Sequence, residues 1–135
     1  MNKHFLHIIY FLVAVAFASC ATVVKPNGGD RDYTPPAIGE INPPSGSTNF
    51  KSKKIEIEFD EFVVLDKLND QLVISPTMPE KPKISVKGKK VVVELPDSLA
   101  PNTTYSIFFG NAIVNYKESV AAENVEYVFS TGALL

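Results

Sequence analysis

The sequence predicts an all-β fold, a sandwich of about seven antiparallel strands, and three observations predict it. Apolar and polar residues alternate with period two in one segment after another, which is the pattern of half-buried strands. Two of these segments meet at Gly88-Lys89, as the arms of a hairpin would. Turn signals separate the others, at Pro43-Pro44-Ser45-Gly46, Pro76 to Pro82, Pro96-Asp97 and Gly110-Asn111, and this spacing suits a sandwich. A chain of 135 residues has room for about one such domain.

In chain order, the first segment stands apart from that domain. Lys3 supplies a positive end, Phe5 to Phe17 is apolar apart from His7 and Tyr10, and no acidic residue precedes Asp30. The run is about 13 residues long, whereas a helix needs about 20 to cross a bilayer, so it reads as the apolar core of an export signal. Its end, Phe17-Ala18-Ser19-Cys20, resembles the lipobox of bacterial lipoproteins, in which the cysteine is diacylated and becomes the new N-terminus. The resemblance implies a signal peptide over residues 1–19 and a lipid on Cys20. A lone thiol in an exported chain has no disulfide partner, and lipidation accounts for it. The protein is therefore expected to be exported and membrane-anchored, at the outer membrane, facing the periplasm or the surface.

Residues 20–34 are expected to form a lipidated, flexible tether. Pro26, Pro35 and Pro36, with Asn27, Gly28, Gly29 and Asp30, leave no helix or central strand there. Fully extended, Ala21 to Thr34 reaches at most about 50 Å.

The strands follow. A first is expected around Ile38 to Ile41. Ile55, Ile57 and Phe59 then alternate with Lys54, Glu56, Glu58 and Asp60. Leu72 to Ile74 is a short apolar strand, and Leu65, Leu68 and Leu72 before it allow one helical turn with Asp66 or Asp70 as its cap. Ile84 and Val86 form one arm of the hairpin, and Val91, Val93 and Leu95 the other. Tyr105, Ile107 and Phe109 mark another strand, and Val125, Tyr127 and Phe129 the last. The apolar faces place Ile57, Phe59, Val93, Tyr105, Ile107, Phe109 and Phe129 in the core.

The order of short motifs carries a family resemblance. Leu99-Ala100-Pro101-Asn102-Thr103-Thr104-Tyr105 resembles the corner of fibronectin-like and immunoglobulin-like sandwiches, where a tyrosine hydroxyl bonds back to the preceding loop. Tyr105 is the candidate structural corner. Together with Pro43-Pro44-Ser45-Gly46-Ser47, Ile57 to Phe62 and Phe129-Ser130-Thr131-Gly132, it is similar to the SbsA-type bacterial Ig-like domain. Gly28 to Pro36 is similar to the opening of Ig-like lipoproteins of Bacteroidota. The resemblance implies an Ig-like (fibronectin III-like) domain over 35–132. In such lipoproteins further β-domains follow, so the tail 133–135 is expected to be a truncated end.

Chemistry is constrained by what is missing. His4, His7 and Cys20 are the only imidazoles and thiol, all within the first twenty residues. Beyond them no Ser-His-Asp or Cys-His nucleophile and no ordinary zinc or iron site can be built. Asp60, Glu61, Asp66 and Asp70 could gather oxygen ligands for calcium, but they also suit an exposed strand face and a helix cap, and the Asp-x-Asp-x-Asp-Gly spacing is absent. No catalytic residue, no metal and no cofactor is therefore expected. Without residues 1–19 the charge is about −3, and the densest lysines, Lys51, Lys53, Lys54, Lys87, Lys89 and Lys90, sit at expected strand ends and turns. Nucleic acid is not an expected partner.

Two functions fit. One is a non-catalytic, lipid-anchored envelope module that spaces components or binds other envelope proteins. The other is a glycan- or ligand-binding accessory that uses loops at one end, with Asn111, Asn115 and Tyr116 as candidate contacts. A binding module would expose an aromatic or two among Tyr33, Phe62, Phe108 and Tyr116, and a spacer would bury or scatter them.

Overall fold

A computed structural model describes residues 2–16, 23, 24, 26 and 28–135 of the chain. Met1–Asp30 and Arg31–Leu135 form separate units. In the first, Lys3–Ala16 is a helix, α1, with no proline or glycine to break it. Its 14 residues rise about 21 Å. No helix among the described residues is long and apolar enough to cross a membrane.

The second unit is β1 (Ile38–Asn42), β2 (Lys54–Phe59), β3 (Val63–Leu65), α2 (Leu68–Gln71), β4 (Val73–Ser75), β5 (Lys83–Lys87), β6 (Lys90–Glu94), β7 (Thr104–Phe108), β8 (Ile113–Asn115) and β9 (Glu126–Ser130). One antiparallel sheet runs β1-β2-β6-β5, a second β4-β7-β9, and β3 pairs with β8. These nine strands include the seven that alternation predicts. The two additions, β3 and β8, are three residues each, too short for period two to register. The helical turn is present, but neither Asp66 nor Asp70 caps it. Lys67 holds the N-cap in a left-handed conformation, with no side-chain cap bond. The Asp66 amide instead donates to Ala112 O at 2.8 Å, and Asp70 lies inside the first turn.

Register explains the core. Ile57 pairs with Val91 and Ile55 with Val93, so β2 and β6 send four aliphatic side chains inward together. Across the sandwich Tyr105 pairs with Phe129 and Ile107 with Tyr127. All of these are buried, as are Phe59 and Phe109. Phe129 is the centre of an aromatic cluster, with ring centroids 4.5 Å from Phe50, 5.4 Å from Tyr105 and 5.9 Å from Tyr127. Val92 points to the opposite face yet is buried too. It sits in register between Glu56 and Ser85, where Lys54, Glu56, Glu58 and Lys90 form an ion-pair network whose aliphatic stems cover apolar surface.

After β1 the chain crosses to the second sheet and lies along the free edge of β9. Gly46 N donates to Val128 O at 2.7 Å, Ser130 N to Ser47 O at 2.9 Å and Phe50 N to Ser130 O at 2.9 Å, and Ser47 bridges Phe129 in parallel. This segment satisfies an edge that would otherwise offer unpaired backbone to another chain. The Tyr127 hydroxyl fastens its start, donating to Pro43 O at 2.9 Å and more weakly to Pro44 O at 3.3 Å. Burial pushes that hydroxyl's pKa up to about 12.

Truncating Phe129 to Ala is expected to cost about 3–5 kcal/mol, because the whole cluster loses its central ring. Lys51→Ala, on the surface, should stay within about 0.5 kcal/mol, and urea denaturation midpoints compare the two. Tyr127 adds a pH dependence. As pH rises from 10.0, the ordinary tyrosine value, to about 12, the unfolded chain gives up this proton and the folded chain keeps it. Stability therefore falls across that window. Thermal melts of Tyr127→Phe should fall less steeply than wild type between those two pH values.

Candidate functional site

The loop that follows β8 is organised by one side chain. Asn115 is 3% exposed. Its Oδ1 accepts from the amides of Glu118 at 3.0 Å and Val120 at 3.1 Å, and its Nδ2 donates to Glu61 Oε1 at 3.4 Å. The Asn115 amide donates to Val120 O at 2.9 Å. An asparagine side chain that bonds amides further along the chain is the ordinary way to fix a tight loop. Asn115, a candidate contact on the sequence, is thus engaged within the protein and buried.

The other two candidates of this loop lie apart. Asn111 is exposed beside α2, where its amide donates to Gln71 Oε1 at 3.3 Å. Tyr116 is 72% exposed, and its amide donates to Phe62 O at 2.9 Å. That bond joins the loop to Phe62, itself 61% exposed. Lys89 covers Phe62 from the hairpin turn, with Nζ 5.8 Å from the ring centroid and 2.7 Å from Asp60 O. A Cβ on Gly88 would lie 3.5 Å from the Phe62 ring, so the ring rests against the turn itself. The Phe62–Lys89 pairing is cation over aromatic face, and nothing in the residue spacing announces it.

The entering chain reaches the same end. Arg31 Nε sits 2.9 Å from Glu118 Oε2. The Asp32 carboxyl is held below its ordinary value, chiefly by hydrogen bonds from Thr34 and less by the charge of Lys117. Tyr33 follows, 70% exposed. Tyr33, Phe62 and Tyr116 are therefore solvent-facing aromatics, while Phe108 is only partly exposed on the outside of the second sheet.

The carboxylates of this region have structural partners. Asp60 accepts the Ala37 amide at 2.9 Å and returns its own amide to Ala37 O at 3.0 Å, pinning the start of β1. Glu61 holds Asn115. Elsewhere Glu56 lies below its ordinary pKa because of its hydrogen bond from Lys54, with Lys90 adding to it. Among the described residues no three His, Cys, Asp or Glu side chains gather as a metal site.

At the corner, the Ala100 amide donates to the Tyr105 hydroxyl at 3.0 Å. A second clasp, which the sequence reading missed, comes from Thr131. Its hydroxyl accepts the Thr103 amide at 2.9 Å and donates to Ala100 O at 2.7 Å. Gly132 packs against Asn102 so closely that a Cβ there would meet its Cα at 2.9 Å. Cys20, the lipidation candidate, lies outside the described residues.

A family model described as a bacterial Ig-like domain matches residues 32–131. No curated protein sequence matches the chain. Among solved structures, an L,D-transpeptidase from Mycobacterium smegmatis is similar with a TM-score of 0.46 and 17% identity, over 73% of this chain and 41% of that one. The N-terminal part of the bacterial S-layer protein SbsC is similar with a TM-score of 0.44 and 19% identity, over 72% of this chain and 23% of that one. The chain thus spans less than half the length of either structure.

Replacing Asn115 by Ala leaves two loop amides without their acceptor, so a loss of about 1–3 kcal/mol is expected. Hydrogen exchange at Glu118 and Val120 should quicken. Tyr116→Ala, which removes only an exposed ring, should leave the urea midpoint within about 0.5 kcal/mol of wild type.

Proposed function

We infer that this chain, which belongs to the bacterial Ig-like domain family, works as a non-catalytic module of the cell envelope, held at a membrane by a lipid on Cys20. In this reading residues 1–19 direct export and are removed, 20–34 form the lipidated tether, and 35–132 are the Ig-like domain. The observation that carries it is the placement of the chain's single cysteine, between a short apolar leader and a β-domain with no thiol or imidazole of its own. The similarity of Gly28 to Pro36 to the openings of Bacteroidota lipoproteins supports an outer-membrane location. Spacing other envelope components, or binding them, is the role that suits a sandwich in which Glu56, Glu58 and Asp60 are bound up in ion pairs and backbone contacts. No cofactor and no nucleic acid enter this role.

One observation favours a second reading, an accessory that binds glycans or another envelope ligand. Phe62 and Tyr116 stand exposed at one end, joined through their backbones, and exposed rings of this kind can stack on a sugar face.

Radiolabelled fatty acid supplied to expressing cells should enter the wild-type chain and not a Cys20→Ser variant. The intact mass of the purified protein should show cleavage immediately before Cys20. Label that persists in the variant, or cleavage at another bond, overturns the anchored reading.

A further inference from the structure

The end of the sandwich at which the chain enters is also where exposed rings gather. Tyr33, Phe62 and Tyr116 are there, while Phe108 sits on the outside of the second sheet. Val63 of β3 pairs with Asn115 of β8, and both side chains are buried. One step along this ladder the Tyr116 amide donates to Phe62 O at 2.9 Å. Phe62 and Tyr116 therefore stand opposite each other and, by the alternation of a strand, leave the ladder together on its other face. Val64, on that same face, is exposed as well.

Charge and chain entry select what meets this surface. Its acidic groups are engaged within the protein: Glu118 with Arg31, Asp60 with the Ala37 amide, Glu61 with Asn115 and Asp32 with the Thr34 amide. Lys87 and Lys117 are exposed, with no carboxylate at ion-pair distance among the described residues. Rings set among long-stemmed cations suit the headgroup layer of a bilayer, where the ring lies at the acyl boundary and the ammonium stays with the phosphates. A sugar fits less well, because Lys89 stands over the Phe62 ring on which it would stack. Arg31, which enters the sandwich here, is separated from Cys20 by a stretch of chain that reaches at most about 40 Å. A lipid on Cys20 keeps this end within that reach of a bilayer. We propose that this end docks on the membrane surface, with Phe62 and Tyr116 entering between lipid headgroups and Lys87 and Lys117 meeting their phosphates. The sandwich then stands on the membrane by a second, non-covalent contact. This rests on the anchored reading for the nearness of the membrane, and on the surface itself for the chemistry of the contact.

The test uses the full chain with its only thiol, Cys20, coupled to a maleimide phospholipid in nanodiscs of phosphatidylethanolamine and phosphatidylglycerol. It reads the contact whether or not cells acylate the cysteine, so its failure and the failure of the anchored reading are separate results. A gadolinium chelate on some of the headgroups relaxes nearby amides, and NMR follows them. Relaxation should be enhanced about fivefold more at Phe62, Gly88 and Tyr116 than at Asp97, beyond the far end of β6, as rings seated among headgroups require. A tether alone also holds this end near, so the deciding comparison is a Phe62→Ser, Tyr116→Ser double variant, in which the enhancement at Gly88 should fall about threefold. A Phe62→Trp, Tyr116→Trp variant should keep it. Amide spectra unchanged away from these positions show that the variants are folded. Equal enhancement at the two ends, or an enhancement that the serine variant leaves unchanged, overturns the proposal. So does loss of the enhancement on adding chitotetraose with shifts at Phe62 and Tyr116, which gives the rings to a sugar.

Discussion

The contact on which the sandwich depends is the set of rings around Phe129. Its ring meets Tyr105 on the neighbouring strand, Tyr127 on its own strand and Phe50 from the crossing segment. A sheet of three short strands is marginal alone, and here the aromatic cluster supplies much of the apolar area that makes the second sheet stable against the first. The same residues hold the peripheral chain. The Tyr105 hydroxyl takes the corner at Ala100 and the Tyr127 hydroxyl takes the prolines that follow β1. Each tyrosine therefore packs with its ring and ties a loop with its oxygen, so packing and loop geometry cannot be changed independently at these positions.

That arrangement makes the two flanks of the molecule unequal. On the β9 side Ser45 to Phe50 lie along the strand and bond it at Val128 and Ser130. On the β4 and β5 side the cover is of another kind: β3 comes alongside the end of β5, with Val63 N donating to Gly88 O at 3.3 Å, Leu68 and Leu72 line the gap with Ile74 and Ile84, and Lys83 and Lys87 stand exposed at the ends of β5. Lysines on an edge are a common means of keeping a sheet from pairing with its own kind.

Much of the fold was legible because a strand with one wet and one dry face writes its geometry into alternate residues. Lys54 to Asp60, Lys83 to Lys87 and Thr104 to Phe109 are of this kind. What escaped has physical reasons. β3 and β8 span three residues each, too few to show a period, and in β8 Ile113, Val114 and Asn115 are all buried, so no alternation exists to read there. Pro43 to Gly46 has turn chemistry and does turn, but that chemistry carries no information about the strand it will reach. Of the candidate ligand residues, Tyr116 is exposed while Asn115 is consumed by its own loop. An asparagine bonding amides three and five residues ahead is written in the same letters as one facing solvent. The pairing of Phe62 with Lys89 joins positions distant in sequence, and only the hairpin brings them together.

The domain's chemistry and its mechanics are separated along the chain. The reactive side chains, two histidines and a cysteine, all precede residue 21, and the sandwich beyond them is assembled from aliphatic, aromatic and paired ionic groups. Within the sandwich, Lys54 and Lys90 hold the Glu56 carboxyl below its ordinary pKa, and the Tyr105 and Tyr127 hydroxyls are held in bonds to backbone. What it offers is shape that persists: buried rings, sealed loops and strand edges whose exposure is controlled one by one. On the proposed reading, the cysteine decides where the domain is and the sandwich keeps its shape there. Changes in where it is held can then arise without disturbing the core around Phe129.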